Sequence, residues 1–503
     1  MHVDARNLDN NSVIEGDICI VGAGAAGISL AMEFADTKKK IILLEGGGFE
    51  NEATMQDLYK SRQTGQRYFP IQGIRLHYFG GTTNHWSGFC SVFDEIDFEK
   101  RDWVPHSGWP ITRKDLDPFY ERAHTILDLG PYEYNTEYWL KQNKAYKLLP
   151  LNEKIVWNKM WQFSPPTRFG TKYKDAILNS RNIHLYTYAN VTDIKANENV
   201  SAIREVIIKN HAGKQHRVKA KTFVMACCSI QNARVLLASN QQNPKGIGND
   251  NDLVGRFFME HLEMKSAELW LAKPDDLKFY MWSRGTTARA ELAISKAKQT
   301  EHKILNGTGS FIPLDIGKNI PAFIDMYDEK GNLDLSKFGD AEKKRDHSNK
   351  DMAYQLFTRI EQSPNPDSRV SLDTEKDALG MPRAHVHWQL SLLEKKSMRK
   401  IYEIIGQEAG RASAGRIRLL EYLQNEKDES WPDFTGGGWH HMGTTRMGDD
   451  PKQSVTNANC KVHGIANFYM AGSSNFVTAA APNPTLTLVA LTLRLADHIK
   501  TIS

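Results

Sequence analysis

The chain has 503 residues, which at roughly 100–200 residues per domain predicts two to four folding units. Apolar residues make up 40% and charged residues 25%, a balance that excludes a disordered or collagen-like chain. Lys plus Arg number 64 against 60 Asp plus Glu, and a net +4 over this length offers no basic face for nucleic acid.

The opening segment, Met1 to Asp17, lacks the apolar run of a secretory signal. It predicts a cytoplasmic chain, or a periplasmic one exported as the passenger of a signal-bearing partner. Asp17-Ile-Cys-Ile-Val21 reads as a buried strand ending at Gly22-Ala-Gly24-Ala-Ala-Gly27. Ile28, Ala31, Met32 and Ala35 then share one face of a helix, and Ile41-Ile-Leu-Leu44 is a second strand. Strand, glycine turn, helix and strand form a βαβ unit, which implies a parallel sheet. Gly22 permits the tight turn, Gly24 lets a pyrophosphate approach the backbone, and Gly27 lets helix pack on strand. The helix N-terminus offers free N–H groups to phosphates. Glu45, 18 residues past Gly27, ends the second strand where a carboxylate can accept hydrogen bonds from a ribose. This motif admits FAD or NAD; its early position and the following Glu45-Gly-Gly-Gly48 lean towards FAD.

Gly80-Gly-Thr-Thr-Asn-His-Trp-Ser-Gly88 is a second glycine-rich loop, followed between about 100 and 175 by a stretch rich in Trp, Tyr and Pro. Beyond Asn182 come strand-like runs at His184 to Ile194, Ile203 to Lys209 and His216 to Ala220. A buried strand at Thr222 to Ala226 leads into a helix through Asn232 to Ala238. Residues 270–435 mix strand-like runs with a charged stretch, Asp328 to Asp351, that reads as an exposed insertion or loop. His385 and His387 alternate with Val386 and Trp388, which reads as sheet packing. Gly437-Gly-Trp-His-His-Met-Gly443 places two histidines before a glycine turn, Asn467 to Ala471 is another strand, and a last apolar helix runs from Pro484. No apolar run reaches the roughly 18 residues of a membrane span.

Five cysteines, Cys19, Cys90, Cys227, Cys228 and Cys460, are an odd count without C-x-x-C spacing. That argues against a disulfide framework, a zinc site and a c-type haem, so no metal site is expected and hard redox chemistry falls to an organic cofactor. Cys227 and Cys228 read as small packing residues.

In their order and along nearly the whole chain these motifs resemble the glucose–methanol–choline (GMC) oxidoreductases. They are most similar to the bacterial glucoside 3-dehydrogenases and pyranose 2-oxidase-like sugar enzymes of that family; Val254 to His261 and Glu361 to Arg369 are weaker matches. The resemblance implies an α/β fold, α+β overall. A Rossmann-like FAD-binding domain is expected over residues 1–100, 176–269 and 436–503. A substrate-binding domain on a mostly antiparallel sheet is expected over 101–175 and 270–435. It implies FAD contacts at Gly22, Gly24, Ala26, Gly27, Glu45, Gly80, Gly81, Thr82, Asn84, His85, Trp86, Ser87, Val191, Gly472, Ser473, Asn483, Pro484 and Thr485.

Oxidising an alcohol removes a hydroxyl proton and moves a hydride from the same carbon to flavin N5; a base with a pKa near ambient favours imidazole over carboxylate. The resemblance maps the family's active-site histidine onto His440 and its second position onto Asn483. His440 is therefore expected as base and Asn483 as donor to the substrate oxygen, with Gln362 and His441 as further substrate contacts. His441 has an alternative, pointing away to bond the backbone, and His261 reads as structural. Asn483 also suits an N-cap and Pro484 a first helical position. In pyranose 2-oxidase the histidine of a T-H-W segment links covalently to FAD. His85 holds that place with Asn84 intervening, and a non-covalent flavin is favoured. Two departures stand out: Gly472 to Thr478 lacks the family's acid and proline, and Ala226-Cys-Cys-Ser229 replaces A-x-G-G.

The expected activity is oxidation of a secondary hydroxyl of a sugar or glycoside, with C3 as a candidate carbon. Without cluster ligands, electrons must pass to an external acceptor, for which a small electron-transfer subunit is a candidate. The alternatives are an oxidase using oxygen and a flavin-binding protein without turnover. The His440–Asn483 pair argues against the latter.

Overall fold

The computed structural model describes residues 1–281, 286–314 and 351–502. The expected parallel sheet is present. Its strand order is His2–Asp4, Ile183–Thr187, Ile41–Leu44, Val13–Val21, Gln215–Met225, Ile203–Lys209 and Asn190–Ala196. The first five strands are parallel to their neighbours and the last two close the sheet as an antiparallel meander. All four side chains of Ile41–Leu44 are buried, as befits a parallel strand covered on both faces.

Two of the expected strands have different bounds. His184 to Ile194 is broken at Tyr188, whose φ of +53° turns the chain, so Ile183–Thr187 and Asn190–Ala196 lie in opposite halves of the sheet. Conversely, His216 to Ala220 and Thr222 to Ala226 form one strand, Gln215–Met225. No Gly or Pro interrupts it, and it changes partner along one edge. Gln215 to Lys219 pair antiparallel with Ile203–Lys209, and Phe223 to Met225 pair parallel with Phe468–Met470.

The second sheet is antiparallel throughout. Its order is Gly415–Leu419, His261–Asp275, Asp351–Glu361, Gly307–Pro313, Ala288–Ile294, Val156–Phe163 and Phe89–Cys90. The boundary expected at 269 therefore cuts through a strand that belongs to this sheet, and residues 261–269 do not pair with the parallel one. One face packs on the helix Leu392–Arg411. A Cβ at Gly307 would lie 3.0 Å from Ile401, and one at Gly309 would lie 3.2 Å from the Tyr402 hydroxyl. The alternation of the strands turns His261, Glu263, Arg359 and Trp161 to the opposite face.

A small third sheet joins Arg369–Lys376, Pro382–Trp388 and Ser61–Gly65. There His385 Nε2 and His387 Nδ1 lie 2.7 and 2.8 Å from the Thr64 hydroxyl, the expected packing role. The C-terminal helix Thr485–Ile502 buries Leu486, Val489, Leu493 and Ala496. It is tied to the helices Ala25–Glu33 and Asp117–Ile126 through Arg122, which pairs with Glu33 at 2.8 Å and Asp497 at 2.6 Å.

The charged stretch lies outside the described residues except for Asp351, which opens a strand. Among the described residues no helix is long and apolar enough to cross a membrane, and no cluster of His, Cys, Asp or Glu could hold a metal ion. All five cysteines are free.

Candidate active site

The glycine turn closes as its spacing demands. Gly22 has φ +104°, and a Cβ at Gly27 would lie 1.8 Å from the Gly22 carbonyl oxygen, so a side chain there forces helix and strand apart. Gly24 is different: nothing lies within 4 Å of where its Cβ would be. The space before the helix Ala25–Glu33 is open, and no side chain caps that helix. Its first N–H groups are left for a phosphate. Glu45 accepts from Ala23 N–H at 3.1 Å and Gly47 N–H at 2.9 Å. Burial pushes its carboxyl up to about 7 against the pull of those N–H groups, and its remaining lone pairs suit ribose hydroxyls.

The second glycine loop is fastened to the first, with Gly80 N–H donating to Ala23 O at 2.8 Å. Gly81 comes so close that a Cβ would lie 3.2 Å from Gly24 Cα. Gly472 approaches from a third side, where a Cβ would be 3.7 Å from Ala26 Cβ. This glycine-lined cradle with one buried carboxylate fits the pyrophosphate and ribose of a dinucleotide.

Other expected cofactor residues are engaged with the protein itself. Asn84 donates to Phe79 O at 2.8 Å and accepts from Gly170 N–H at 3.0 Å, and Trp86 Nε1 donates to Thr167 O at 2.8 Å. Val191 is buried in the sheet core. His85 Nε2 lies 2.8 Å from the Tyr78 hydroxyl, while Thr82, His85 and Ser87 are exposed along the open side of the loop. Ser473 Oγ donates to His441 O at 2.7 Å. Pro484 is buried and Thr485 half-buried at the start of the last helix.

His440 and Asn483, far apart in sequence, meet. His440 Nε2 lies 3.2 Å from Asn483 Nδ2, and Asn483 Oδ1 accepts from Trp161 Nε1 at 3.2 Å. An indole nitrogen only donates, so Trp161 fixes which way the amide points. The cap expected of Asn483 is absent. The helix opens with Leu488 N–H donating to Pro484 O at 2.8 Å, so Pro484 takes the cap position and the Asn483 side chain faces the histidine.

Behind His440, its Nδ1 lies 2.8 Å from His261 Nδ1 and 3.8 Å from Glu263 Oε1, a carboxylate held by Arg359 Nε at 2.6 Å. His261 Nε2 reaches Ala480 O at 2.8 Å and Ala479 O at 3.1 Å. Glu260 Oε1 accepts from His440 N–H at 2.6 Å and His261 N–H at 2.8 Å, while its Oε2 accepts from Tyr68. Burial pushes the Glu260 carboxyl up to about 8. Burial, with His261, Arg359 and His441 nearby, holds the His440 imidazole well below its ordinary value. That shift favours the neutral ring, in contrast to the near-ambient value expected of a base. Trp439 and Ala480 sit at φ +63° and +56°, so the backbone is strained immediately before His440 and close before Asn483.

Two expected substrate contacts need correction. Gln362 is fully buried: its carbonyl accepts from Glu260 N–H at 3.0 Å and Trp388 Nε1 at 2.9 Å, and its amide donates to Gln389 O at 2.8 Å. Those bonds make it a brace for the segment at Glu260, just before the strand His261–Asp275. His441 is bonded elsewhere than the His440–Asn483 pair, with Nε2 2.9 Å from the Tyr68 hydroxyl and its ring beside Phe258. Its partner is a side chain rather than the backbone. Sequence reasoning missed Trp161, Glu260 and Glu263 at this site and read His261 as merely structural.

Residues 17–245 match the family described as FAD dependent oxidoreductase, and residues 364–492 match GMC oxidoreductase. The chain is 31% identical to the 6'''-hydroxyparomomycin C oxidase of Streptomyces lividus, over 96% of this chain and 92% of that one. It is 28% identical to the fructose dehydrogenase large subunit of Gluconobacter japonicus, over 97% and 98% respectively. A crystal structure of formate oxidase superposes with a TM-score of 0.60 at 16% identity, covering 98% of this chain and 99% of that one. Cradle, split motifs and relatives agree: the chain belongs to the GMC oxidoreductases. It is an enzyme with FAD as its cofactor.

Proposed function

We propose that the protein oxidises a secondary hydroxyl of a sugar or glycoside to a ketone, with C3 a candidate carbon, and passes the electrons to an external acceptor. The observation that carries this reading is the 3.2 Å approach of His440 Nε2 to Asn483 Nδ2, an imidazole nitrogen beside an amide donor. A substrate hydroxyl entering between them gives its proton to Nε2, while the amide N–H donates to the oxygen and steadies the charge that develops there. Bound FAD supplies the hydride acceptor. The cofactor is held without a covalent bond, in keeping with His85 being engaged by Tyr78. The sugar class draws support from the relatives named for aminoglycoside and fructose oxidation, and an electron-transfer partner from the one named as a large subunit. C3 rests on the motif resemblance alone. The division into FAD-binding and substrate-binding segments belongs to the same proposal, with residues 261–269 moved to the substrate-binding side.

The test is anaerobic mixing with a panel of glycosides while the absorbance of oxidised flavin is followed. Bleaching by glycosides and not by simple alcohols is expected, and no bleaching by any sugar overturns the reading. Rapid recovery of colour on admitting air would favour oxygen as the acceptor. His440→Ala should keep its flavin and lose about 10²–10⁴ in the rate of bleaching. His441→Ala should retain substantial activity, and the reverse order would transfer the role of base to His441.

A further inference from the structure

We infer that His261 is a positioning residue that fixes the tautomer of His440, leaving the Nε2 lone pair as the acceptor that faces Asn483; this rests on the reading of His440 as the base. The hydrogen positions can be worked out from either end of a chain of five contacts. At one end, His261 Nε2 lies 2.8 Å from Ala480 O and 3.1 Å from Ala479 O. Carbonyl oxygens only accept, so this nitrogen carries a hydrogen. In a neutral imidazole the other nitrogen is then a bare lone pair, and His261 Nδ1 stands 2.8 Å from His440 Nδ1. Two lone pairs do not face each other at that distance, so His440 Nδ1 carries its ring's hydrogen and Nε2 is left bare.

At the other end, Trp161 Nε1 donates to Asn483 Oδ1 at 3.2 Å. That turns the Asn483 amide hydrogens towards His440 Nε2, also at 3.2 Å, which must accept. The loop Ala479–Ala480 and the strand Val156–Phe163 therefore dictate the same proton positions independently. The opposite tautomer sets N–H against N–H at Asn483 and lone pair against lone pair at His261.

Among the described residues, no other titratable group packed against the pair can take over. Glu263 Oε1, on the same strand as His261, is 3.8 Å from His440 Nδ1, beyond hydrogen-bond reach, and is tied to Arg359 on the neighbouring strand. Glu260 is occupied by the two backbone N–H groups and Tyr68. His441 is bonded to Tyr68 on the far side. Burial pulls His261 down to about 4, so it stays neutral and able to accept. The arrangement also survives the chemistry. When His440 takes a substrate proton at Nε2, its Nδ1–H still donates to His261.

The test compares FAD-loaded wild type with His261→Leu, His261→Asn and His440→Ala. Flavin content, the anaerobic rate of flavin reduction, KM and the pH profile are measured for each. His261→Leu removes the acceptor; reduction should slow about 10²-fold with little change in KM, and should recover as pH rises and the substrate hydroxyl ionises more readily. His261→Asn can place its carbonyl oxygen where Nδ1 was and should restore most of the rate and the wild-type profile. Wild-type rate and profile in His261→Leu, or no rescue by Asn, overturns the inference. If His440→Ala reduces flavin normally, the base reading itself fails; if only His261→Leu behaves as wild type, this inference fails alone. A second readout needs no folded His261 variant and no turnover. In ¹⁵N-histidine-labelled wild type, the signals lost in His440→Ala should show a protonated Nδ1 and a bare Nε2. The reverse pattern overturns the assignment.

Discussion

Trp161→Phe removes the indole N–H from the site while keeping an aromatic ring in its place. The indole is fully buried, the phenyl ring fills most of its volume, and the deleted group is the donor to Asn483 Oδ1 at 3.2 Å. Without it the amide loses the contact that decides which end faces His440. A neutral hydrogen bond of this kind is worth about 0.5–1.5 kcal/mol net. If that is the margin holding the amide in its working orientation, flavin reduction slows roughly 2- to 12-fold. Flavin content should not change, because the substitution leaves the glycine cradle and the bonds of Glu45 as they are. The assay is anaerobic reduction by a saturating glycoside in wild type, Trp161→Phe, Asn483→Ala and the double variant. Trp161 acts through Asn483, so the double variant should be no slower than Asn483→Ala alone. Independent, multiplying effects, or an unchanged rate in Trp161→Phe, would refute the reasoning.

Further outcomes follow from the same geometry. Gly27→Ala places a Cβ 1.8 Å from Gly22 O, so the purified protein should come free of flavin, read as loss of its visible absorbance. Gln362→Leu should leave KM unchanged but lower the melting temperature, since orphaning the Trp388 and Glu260 N–H groups costs about 1–3 kcal/mol; a selective rise in KM would return Gln362 to the substrate pocket. Glu260 has its carboxyl raised from 4.5 to about 8, so its contribution to stability is full below about pH 4.5 and lost as pH rises through about 8. The melting temperature should therefore fall between about pH 4.5 and 8 and level off above, and Glu260→Gln should flatten the fall. Because burial lowers the His440 imidazole, the rate of flavin reduction should stay level as pH drops through 6.5, and an acid limb at 6.5 would contradict its burial.

The glycine turn was legible because its requirements are local. Gly22, Gly27 and Glu45 act on neighbours within one βαβ unit, and composition plus spacing are enough to see them. His440 and Asn483 were legible only through their motifs, and their meeting depends on how two distant segments are brought together. Trp161 was hidden for a physical reason. It is one of many aromatics between 100 and 175, and what singles it out is a bond to a residue 322 positions later. His261 left a fainter trace. His261, Glu263 and Lys265 alternate with Leu262 and Met264, a polar face on a buried strand that had to point at something. Gln362 misled because a polar residue in a motif resembles a ligand contact until its neighbours are known.

The two left-handed residues near the His440–Asn483 pair, Trp439 and Ala480, bear on any attempt to make this enzyme hardier. Replacing Ala480 with glycine would relieve about 1–2 kcal/mol of steric cost, an obvious choice for heat tolerance. Yet the Ala480 carbonyl, with that of Ala479, accepts from His261 Nε2, and a looser chain there would hold the ring less firmly. Thermostability gained at that position should be repaid in turnover, so engineering effort belongs on surfaces far from it.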